Sequence, residues 1–439
     1  MKWHGPLRAK VIWISTMRVC VLGAGVIGLT TAWELAERGY DVTILERRRE
    51  PAAEASFANG AQLSYAFVAP LACPETLHKL PALMLAAGAP IRIRPTYDPE
   101  FIRWGLRFLS ACNDRMVTET TRAQLALSAL SRSVMADLVE GEELSFGLRT
   151  VGKIVLHRSR RSFDAGRLQV ERQARLQGSS NQQVLTPSQC LELEPALNLS
   201  SDEIAGAIYT PSEQVGDCRL FCQELALRLQ QRSNVLWALG THVRRLITRD
   251  NRVCAIETSQ GVFDTNLVVL TLGAAAAQFA RKSGFRLPVY PMKGYSITAR
   301  FAHKAASLRH SVTDFEQKIV YAPLKENREE VARVAGIADL VGFDGAIDRR
   351  RLAGMTRQAA KLLNLDLESD VRPWAGLRPA TPDSRPIIGW SPIRNLFLNT
   401  GHGALGWTLA CGSARQTVQM ITGEQLSVNP GWFALERSA

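Results

Sequence analysis

The chain has 439 residues, and its 53 Lys and Arg residues against 41 Asp and Glu residues give it a formal net charge of +12. Hydrophobic residues make up 46% and charged residues 21%, which excludes a disordered chain because enough apolar material is present to offset the entropy lost on folding. None of the eight cysteines forms a Cys-x-x-Cys pair, which disfavours a disulfide framework or a zinc site and predicts reduced thiols in a cytoplasmic protein.

The chain opens with a segment, residues 1–16, that carries three basic residues and no acidic one. We interpret it as an overhang that precedes the fold, with a functional basic arm as the alternative. The apolar span at 11–33 overlaps it and is interrupted by Arg18. It therefore predicts neither a transmembrane helix nor a signal peptide.

A βαβ unit is predicted directly after this segment. A short β-branched run at 17–22 predicts a strand buried on both faces, and 29–38 predicts an amphipathic helix that stops at a glycine. A second strand is predicted at 41–45 and is followed by an acidic residue. Strand, glycine-rich turn, helix, strand and terminal acid together are typical of a dinucleotide-binding fold.

The individual residues of this unit have separate roles in the prediction. Gly23 permits the tight turn, Gly25 lets the backbone approach a pyrophosphate, and Gly28 lets helix and strand pack closely. Glu46 is placed to accept hydrogen bonds from a ribose. Because Glu46 would repel a 2′-phosphate that Arg47 could otherwise bind, FAD or NAD fits better than NADP.

Two later blocks predict further parts of the same cofactor domain. In the block at about 197–281, Asp217 is placed to cap a helix, short strands follow at 235–239, 242–249 and 253–258, and a buried strand at 267–272 leads into Gly273. In the block at 396–422, a strand leads through a glycine-rich turn into another helix. Both blocks would bring small-residue backbone close to a ligand.

The fold class predicted is α/β, a Rossmann-like cofactor domain interleaved with an α+β substrate (cap) domain that carries an antiparallel sheet. The segment at about 71–190 is rich in helical patterns, and that at about 288–374 alternates apolar and polar residues. The predicted boundaries are 17–70, 197–287 and 375–425 for the cofactor domain, and 71–196 and 288–374 for the cap.

These residues carry a resemblance to a known family. The chain resembles the FAD-dependent D-amino-acid dehydrogenases of the glycine oxidase and sarcosine oxidase superfamily, from Met17 to about Gly423. The resembling segments are RVCVLGAGVIG at 18–28, GDCRLF at 216–221, YPMKGYS at 290–296, GLRPATPD at 376–383, and 399–413, which contains Gly-His-Gly and Gly-Trp. The last two segments are the most specific.

The resemblance implies a cofactor, a reaction and a location. The cofactor would be FAD, held in the cofactor domain. The reaction would be oxidation of a D-amino acid such as D-alanine to a 2-oxo acid and ammonia, by hydride transfer from the substrate Cα to flavin N5. Electrons would pass to a quinone or another respiratory acceptor. The protein would be cytoplasmic, with peripheral contact to the cytoplasmic face of the inner membrane.

Residues for the cofactor follow from the fingerprint and from the resemblance. They are Val19, Cys20, Val21, Leu22, Gly23, Ala24, Gly25, Val26, Ile27, Gly28, Glu46, Arg47, Asn59, Gly60, Gln62, Gly273, Gly401, His402, Gly403, Leu405, Gly406 and Trp407. The turn at 403–407 would deliver a helix N-terminus, whose dipole stabilises negative charge on a reduced flavin. No metal site is predicted.

One segment departs from the family pattern. The family shows Ala-Asn-Ala-Gly-Gln where this chain has Ala58-Asn59-Gly60-Ala61-Gln62. Tyr65 and Phe67 then stand where the family has smaller residues. Because these positions approach flavin and substrate in the family, a shifted side-chain specificity is expected.

Four residues are predicted to bind substrate. Arg378 would bind the substrate carboxylate, since it lies in the segment that resembles the family's carboxylate-binding motif and since a guanidinium matches a carboxylate bidentately. Tyr295 would steady the carboxylate or the amine, and both are the predicted catalytic residues. Tyr65 and His402 complete the substrate set. His402 is interpreted as a hydrogen-bonding support rather than a general base.

Several alternatives remain open at this stage. The same fold could oxidise glycine, sarcosine or a D-proline-like secondary amine, or could serve as a non-catalytic flavin subunit of an electron-transfer complex. The positive charge is spread over short, separate clusters, so a solvated surface is the preferred interpretation and an anionic membrane the next. Nucleic-acid binding is disfavoured because no zinc-finger spacing or aromatic-basic motif is present.

Overall fold

The computed structural model of the chain describes residues 17–68, 70–77, 89–94, 96–177, 181–303 and 307–437. The predicted overhang at 1–16 lies outside these ranges. Of the helices in the described ranges, none combines the length and the apolar character needed to cross a lipid bilayer.

The described ranges contain the following helices and strands. The helices are α1 Val26–Glu37, α2 Pro99–Ala111, α3 Asp114–Glu142, α4 Arg160–Gln177, α5 Pro187–Leu193, α6 Cys218–Gln230, α7 Ala276–Lys282, α8 Arg349–Leu362 and α9 Gly406–Thr422. The strands are β1 Arg18–Leu22, β2 Asp41–Glu46, β3 Gln62–Leu63, β4 Ile91–Ile93, β5 Arg149–Thr150, β6 Lys153–His157, β7 Gln183–Leu185, β8 Gly206–Thr210, β9 Gln214–Val215, β10 Val235–Leu239, β11 Val243–Arg249, β12 Arg252–Thr258, β13 Gly261–Asp264, β14 Leu267–Leu270, β15 Tyr290–Phe301, β16 Ser311–Asp314, β17 Ile319–Glu326, β18 Glu329–Leu340, β19 Leu365–Asp366, β20 Arg372–Ala380, β21 Ile387–Trp390 and β22 Leu396–Thr400.

A six-stranded sheet, here called the first sheet, has the order β10-β2-β1-β14-β22-β21. All neighbours run parallel except β21, which pairs antiparallel with β22. The strands β1, β14 and β22 are almost entirely buried, as parallel strands covered on both faces must be. Their carboxyl ends therefore lie side by side at one edge, where ligands bind in open α/β sheets.

Helices α1 and α9 pack against this sheet and against each other, and α3 packs on α9. The hydroxyl of Thr30 in α1 donates to the carbonyl of Ala410 in α9 at 3.3 Å. A β-carbon on Gly412 in α9 would stand 2.6 Å from the carbonyl oxygen of Leu127 in α3. The absence of a side chain at Gly412 is thus what allows these two helices to cross closely.

A ten-stranded sheet, here called the large sheet, forms the second layer. Its main order is β19-β15-β18-β17-β16-β6-β8-β7, with β20 paired to β15 and β4 paired to β18. Most neighbours are antiparallel, but β16 runs parallel to β6 and β4 runs parallel to β18. Two small antiparallel sheets, β11-β12-β13 and β3-β9-β5, complete the fold.

The predicted fold class, α/β with a Rossmann-like part and a sheet-bearing second part, is confirmed, and so are the βαβ unit, the strand at 235–239 and the Asp217 cap of α6. Two elements lie in a different layer from the one predicted. Strand β8, predicted within the cofactor domain, pairs with β6 and β7 in the large sheet. Helix α3, predicted within the cap, packs on α9. Both differences arise because an apolar pattern identifies an element but does not identify its partner.

Candidate functional site

A cavity of about 580 Å³ lies between the carboxyl ends of β1, β14 and β22 and one face of the large sheet. It brings together most of the residues predicted from the sequence. Those that line it are Gly23, Gly25, Val26, Ile27, Glu46, Arg47, Asn59, Gly60, Gln62, Gly273, Tyr295, Arg378, His402, Gly403, Leu405, Gly406 and Trp407. The first and large sheets thus contribute to one site.

The other predicted residues do not line this cavity. They are Val19, Cys20, Val21, Leu22, Ala24, Gly28, Gly401 and Tyr65. The first four lie in the interior of β1, where their side chains are buried in the two apolar cores that flank the sheet. A fingerprint prediction includes them because it spans the whole strand and turn.

Gly28, Gly401 and Tyr65 serve packing. A β-carbon on Gly28 would stand 1.9 Å from the carbonyl oxygen of Gly23, so only glycine allows α1 to meet the turn. A β-carbon on Gly401 would stand 2.7 Å from Thr381 Cγ2. The side chain of Tyr65 is 6% exposed and packs in the core under α3 and α9. The structure thus places the Tyr65 ring in the core, whereas the sequence predicted it at the substrate.

The glycine-rich turn and Glu46 are held together by backbone hydrogen bonds. The two carboxylate oxygens of Glu46 accept from Ala24 N–H and Arg48 N–H, each at 2.8 Å. The carboxylate is fixed in this way while lining the cavity, and each of its oxygens keeps a lone pair that can accept a further hydrogen bond. Ser56 Oγ accepts from Val26 N–H at 3.1 Å and so caps the first turn of α1.

The segment at 58–62 is fixed by the large sheet. Ser296 donates to the carbonyl of Ala58 at 2.6 Å, and the buried Arg333 donates to the carbonyl of Asn59 at 3.1 Å. Asn59 Oδ1 in turn accepts from Ala61 N–H at 3.0 Å. Ala61 has a φ of 55°, a left-handed conformation that favours glycine. The Gly60-Ala61 order is thus accommodated by an Asx-type turn that is hydrogen-bonded to the large sheet.

Helix α9 begins at the cavity. No side chain caps its N-terminus and no acidic residue stands in its first turn, while Gly403, Leu405 and Gly406 line the cavity. The free N–H groups and the positive end of the helix dipole are therefore available to negative charge on a ligand. Trp407 anchors this turn by donating from Nε1 to the carbonyl of Gly216 at 3.2 Å.

His402 stands beside this helix N-terminus as a neutral group. Its side chain is 3% exposed, and burial lowers its pKa to about 3. Nε2 shares a hydrogen bond of 2.9 Å with Ser413 Oγ, while Nδ1 has no protein partner among the described residues. His402 is thus fixed through Nε2, and its Nδ1 is available to a ligand.

Arg378 and Trp374 fold onto two glycines that face each other across β15 and β20. Gly294 and Gly376 are paired in register. A β-carbon on Gly294 would stand 2.5 Å from Arg378 Nη2, and one on Gly376 would stand 1.9 Å from the Trp374 ring. The two missing side chains thus allow the guanidinium and the indole to lie flat on the sheet at the cavity.

The guanidinium of Arg378 has no hydrogen-bond or ion-pair partner in the described part of the chain. Arg47, by comparison, pairs with Glu54 at 2.8 Å at the same cavity. Burial lowers the pKa of Arg378, which reflects the cost of holding an uncompensated cation there. A planar cation without a counter-ion at a cavity wall is suited to a carboxylate ligand.

Tyr295 lines the cavity, and its hydroxyl is hydrogen-bonded to a buried carboxylate. The hydroxyl donates to Asp339 Oδ2 at 2.8 Å, and Asp339 is fully buried and also paired with Arg92 and Arg351. The only proton of the phenol is already donated to Asp339, and burial raises the pKa of Tyr295, so that the hydroxyl stays protonated. The hydroxyl is therefore not free to donate to a substrate carboxylate. The structure thus places the Tyr295 hydroxyl on Asp339, whereas the sequence predicted that it donates directly to the substrate.

Several cavity residues were not among the predicted site residues. They include Ser64, Lys153, Thr313, Trp374 and Asn399, whereas Phe67, which also lines the cavity, was expected to affect side-chain specificity. Lys153 did leave a signal, since it is a lone cation at the start of the apolar run Lys153–His157. The sequence does not show that this strand faces the cavity.

A dinucleotide fits the residues present. The side chains of Asn399 and His402 line the cavity, and each carries a buried polar atom, Asn399 Oδ1 and His402 Nδ1, without a partner among the described residues. A β-carbon on Gly25 would meet only Ser56 Oγ, at 3.5 Å. Packing thus does not require glycine there, whereas close approach of a pyrophosphate does.

Comparison with known proteins agrees with this geometry. The family model described as "DAO: FAD dependent oxidoreductase" matches residues 18–420. The chain is 39% identical over 431 residues to "D-amino acid dehydrogenase 2" of Ralstonia nicotianae, covering 96% of this chain and 100% of that protein. It is 40% identical over 407 residues to "D-amino acid dehydrogenase 2" of Pseudomonas aeruginosa, covering 92% and 94%.

Among solved structures, the glycine oxidase of Geobacillus kaustophilus superposes with a TM-score of 0.74. It covers 97% of this chain and 100% of that one at 22% sequence identity, a level at which the likeness concerns the fold.

Proposed function

Because the chain belongs to the FAD dependent oxidoreductase family, we propose that it oxidises D-amino acids to 2-oxo acids and ammonia. The chain is an FAD-dependent, amine-oxidising oxidoreductase, and its relatives at 39–40% identity carry the name D-amino acid dehydrogenase. The observation that carries the proposal is the unpaired Arg378 at the cavity wall, which supplies the fixed cation that an amino-acid carboxylate requires.

The residues of the cavity have defined tasks in this reaction. A bound FAD would supply the acceptor for the hydride transferred from the substrate Cα. Arg378 would bind the carboxylate and thereby fix the orientation of the Cα–H bond, while the Trp374 indole and the Tyr295 ring exclude water from that wall. His402 remains neutral and supports the cofactor side. Hydrolysis of the imino acid then needs only water.

The helix N-terminus of α9 is proposed to stabilise the cofactor after it has gained negative charge. The interaction of such a charge with a helix N-terminus contributes roughly 1 kcal/mol, and more when partly buried. Asn59, Gly60 and Gln62 are proposed to hold the opposite side of the same ligand, because the large sheet fixes their segment.

The first experiment measures the oxidation of D- and L-amino acids, glycine, sarcosine and D-proline in turn, with an artificial electron acceptor in each assay. The proposal expects D-alanine to bleach the visible absorption of the FAD-loaded protein and L-alanine to leave it unchanged. Preference for an L-amino acid, glycine or sarcosine would contradict it. Absence of reduction by any amine would favour a non-catalytic flavin subunit.

The second experiment tests Arg378. Replacing Arg378 with Ala is expected to lower kcat/KM for D-alanine by at least about 100-fold, since two charge-assisted hydrogen bonds are lost. The FAD spectrum should not change. A rate equal to that of the unaltered protein would show that carboxylate binding lies elsewhere.

We further propose that the electrons pass to a respiratory acceptor such as a quinone while α2 rests on an anionic membrane surface. One face of α2 packs on the protein through Trp104 and Phe108. The other face exposes Ile102, Leu106 and Leu109 by 50%, 63% and 43%. A helix with an exposed apolar stripe, in a chain of net charge +12, fits the surface of an anionic bilayer.

Vesicle sedimentation tests this surface. The protein should sediment with phosphatidylglycerol vesicles and less with phosphatidylcholine vesicles, and the pair of substitutions Ile102→Ser and Leu106→Ser should abolish the difference. Leu227→Ser is the matched control, because Leu227 is 50% exposed on α6. Equal sedimentation of all three proteins would contradict the proposal.

A further inference from the structure

A buried lysine stands in the cavity without a role in the reaction described above. Lys153 opens strand β6, lines the cavity and is only 3% exposed. Its Nζ donates to Ser64 Oγ at 2.7 Å and lies 4.6 Å from the centre of the Phe67 ring. Burial of an ammonium group is costly unless it is compensated, so its position calls for an explanation.

The charge of Lys153 is incompletely compensated by the protein. The carboxylate whose charge acts on it is that of Glu213, which is also buried. The oxygens of Glu213 accept from Tyr65 N–H and Ala66 N–H, each at 2.7 Å, and Lys153 forms no ion pair with any described residue. An ammonium has three donors, and Ser64 takes only one of them.

The balance of these effects leaves the ammonium charged at neutral pH. Burial lowers the pKa of Lys153 to about 8, while the charge of Glu213 acts in the opposite direction. Most Lys153 side chains therefore carry a proton at pH 7.

A second unpartnered donor stands on the neighbouring strand. Thr313 in β16 is 8% exposed, lines the cavity, and has no hydrogen-bond partner for Oγ1 among the described residues. In the parallel register of β16 and β6, Thr313 stands opposite Val155 and Ser311 stands opposite Lys153. Residues 153 and 155 share a face of the sheet, so Thr313 lies on the same face as Lys153.

We propose that Lys153, assisted by Thr313, binds a carboxylate at the side-chain end of the substrate, so that the enzyme prefers D-amino acids with acidic side chains. This inference rests on the proposed function. Arg378 would hold the α-carboxylate at one wall of the cavity and Lys153 the second carboxylate at another. Phe67 would pack along the methylene groups between them.

The experiment compares acidic D-amino acids with neutral partners of similar shape. The pairs are D-aspartate with D-asparagine and D-glutamate with D-glutamine, and D-2-aminoadipate with D-norleucine extends the chain length. The acidic member of at least one pair should have the higher kcat/KM. The Lys153→Met variant should lose about 30-fold in kcat/KM for that acidic substrate and less than about threefold for its partner, as expected for one charged hydrogen bond.

Lys282→Met is the matched control. Lys282 also lines the cavity but is exposed, and its replacement should leave the preference unchanged. A variant at Lys153 that loses activity for all substrates equally, or a wild-type protein that favours the neutral member of every pair, would overturn the inference while leaving the proposed function intact. Failure of the wild-type protein to oxidise any D-amino acid would overturn both.

A binding measurement on the unaltered, FAD-loaded protein keeps the inference testable if Lys153→Met does not fold. Glutarate carries two carboxylates and cannot be oxidised, whereas butyrate carries one. Glutarate should raise the thermal unfolding temperature more than butyrate at pH 7, and the difference should shrink above pH 8 as the ammonium of Lys153 loses its proton. Equal effects of the two acids at pH 7 would count against a second carboxylate site.

Discussion

The guanidinium of Arg378 lies flat against Gly294, so that a β-carbon on that glycine would come within 2.5 Å of Nη2. The contact joins β20 to β15, and the end of a flexible side chain is the part that would yield. A methyl group at position 294 would therefore displace the guanidinium without breaking the sheet. The position of this cation depends on a residue that has no side chain.

Gly294→Ala should consequently impair substrate binding while the fold survives. Displacement of a positioning group by about 1 Å costs on the order of 100-fold, so kcat/KM for D-alanine should fall by about 10- to 100-fold, mainly through KM. Steady-state kinetics measure the effect. Gly105→Ala in α2 is the control, because no atom stands within 4 Å of its added β-carbon. Full activity of Gly294→Ala would show that Arg378 does not act at this position.

Tyr295→Phe should have a small effect. The phenol donates to Asp339, which keeps its pairs with Arg92 and Arg351 when the hydroxyl is removed. We expect a loss of stability of about 1 kcal/mol and a change in kcat/KM of less than about threefold. Thermal unfolding and steady-state kinetics separate the two. A 100-fold loss in kcat/KM with unchanged unfolding would restore a direct role for the hydroxyl.

The contrast between Arg378 and Tyr295 shows what a sequence can and cannot predict. The βαβ unit and the turn into α9 follow from local patterns of glycines and apolar residues, and the structure bears them out. The acceptor of the Tyr295 hydroxyl lies 44 residues away, and Ser64 lies 89 residues from Lys153. Such contacts are set by the pairing and packing of strands that lie far apart in the chain, which no local pattern encodes.

The same limit applies to whole elements. Helix α3 is amphipathic, yet nothing in its own residues shows that it crosses α9 at Gly412 rather than packing on the large sheet. Strand β8 is short and apolar and could join either sheet on its own pattern. The sheet or helix against which each element packs is determined by how much apolar surface it can bury there, and that surface depends on the other elements.

Ala61→Gly should leave the protein equally stable or more stable. Ala61 has a left-handed φ of 55°, which costs an alanine roughly 1–2 kcal/mol. Replacement by glycine removes this cost, but the greater conformational freedom of glycine in the unfolded chain offsets about 0.4–1 kcal/mol of the gain in stability. Gly60→Ala is the opposite case, because its β-carbon would stand 3.0 Å from Val320 Cγ2 at the cavity wall. In the FAD-loaded form, Ala61→Gly should therefore unfold at the wild-type temperature or above it, and Gly60→Ala should unfold below it. A lower unfolding temperature for Ala61→Gly than for Gly60→Ala would refute this account.

His157 should make the protein less stable as the pH falls. Its ring is 1% exposed beside Phe163 and Phe315, and neither nitrogen has a partner among the described residues. Burial lowers its pKa to about 4, with a smaller opposing effect of Glu316 and a smaller assisting effect of Lys318. In the unfolded state His157 is therefore protonated near pH 6.5, whereas in the folded state it is protonated only at a lower pH.

The sign of the effect follows from this difference. Stability conferred by neutral His157 is complete above about pH 6.5 and is lost progressively down to about pH 4, by roughly 3 kcal/mol in total. His402, whose pKa burial lowers to about 3, adds a loss of the same sign. Between pH 7 and pH 5 the unfolding temperature of His157→Leu should therefore fall by less than that of the wild-type protein. The unfolding temperature of His242→Leu, which alters an exposed position, should fall by as much as that of the wild type. An unchanged pH dependence in His157→Leu would mean that His157 takes up its proton in the folded protein, and that the aromatic pocket between Phe163 and Phe315 admits charge.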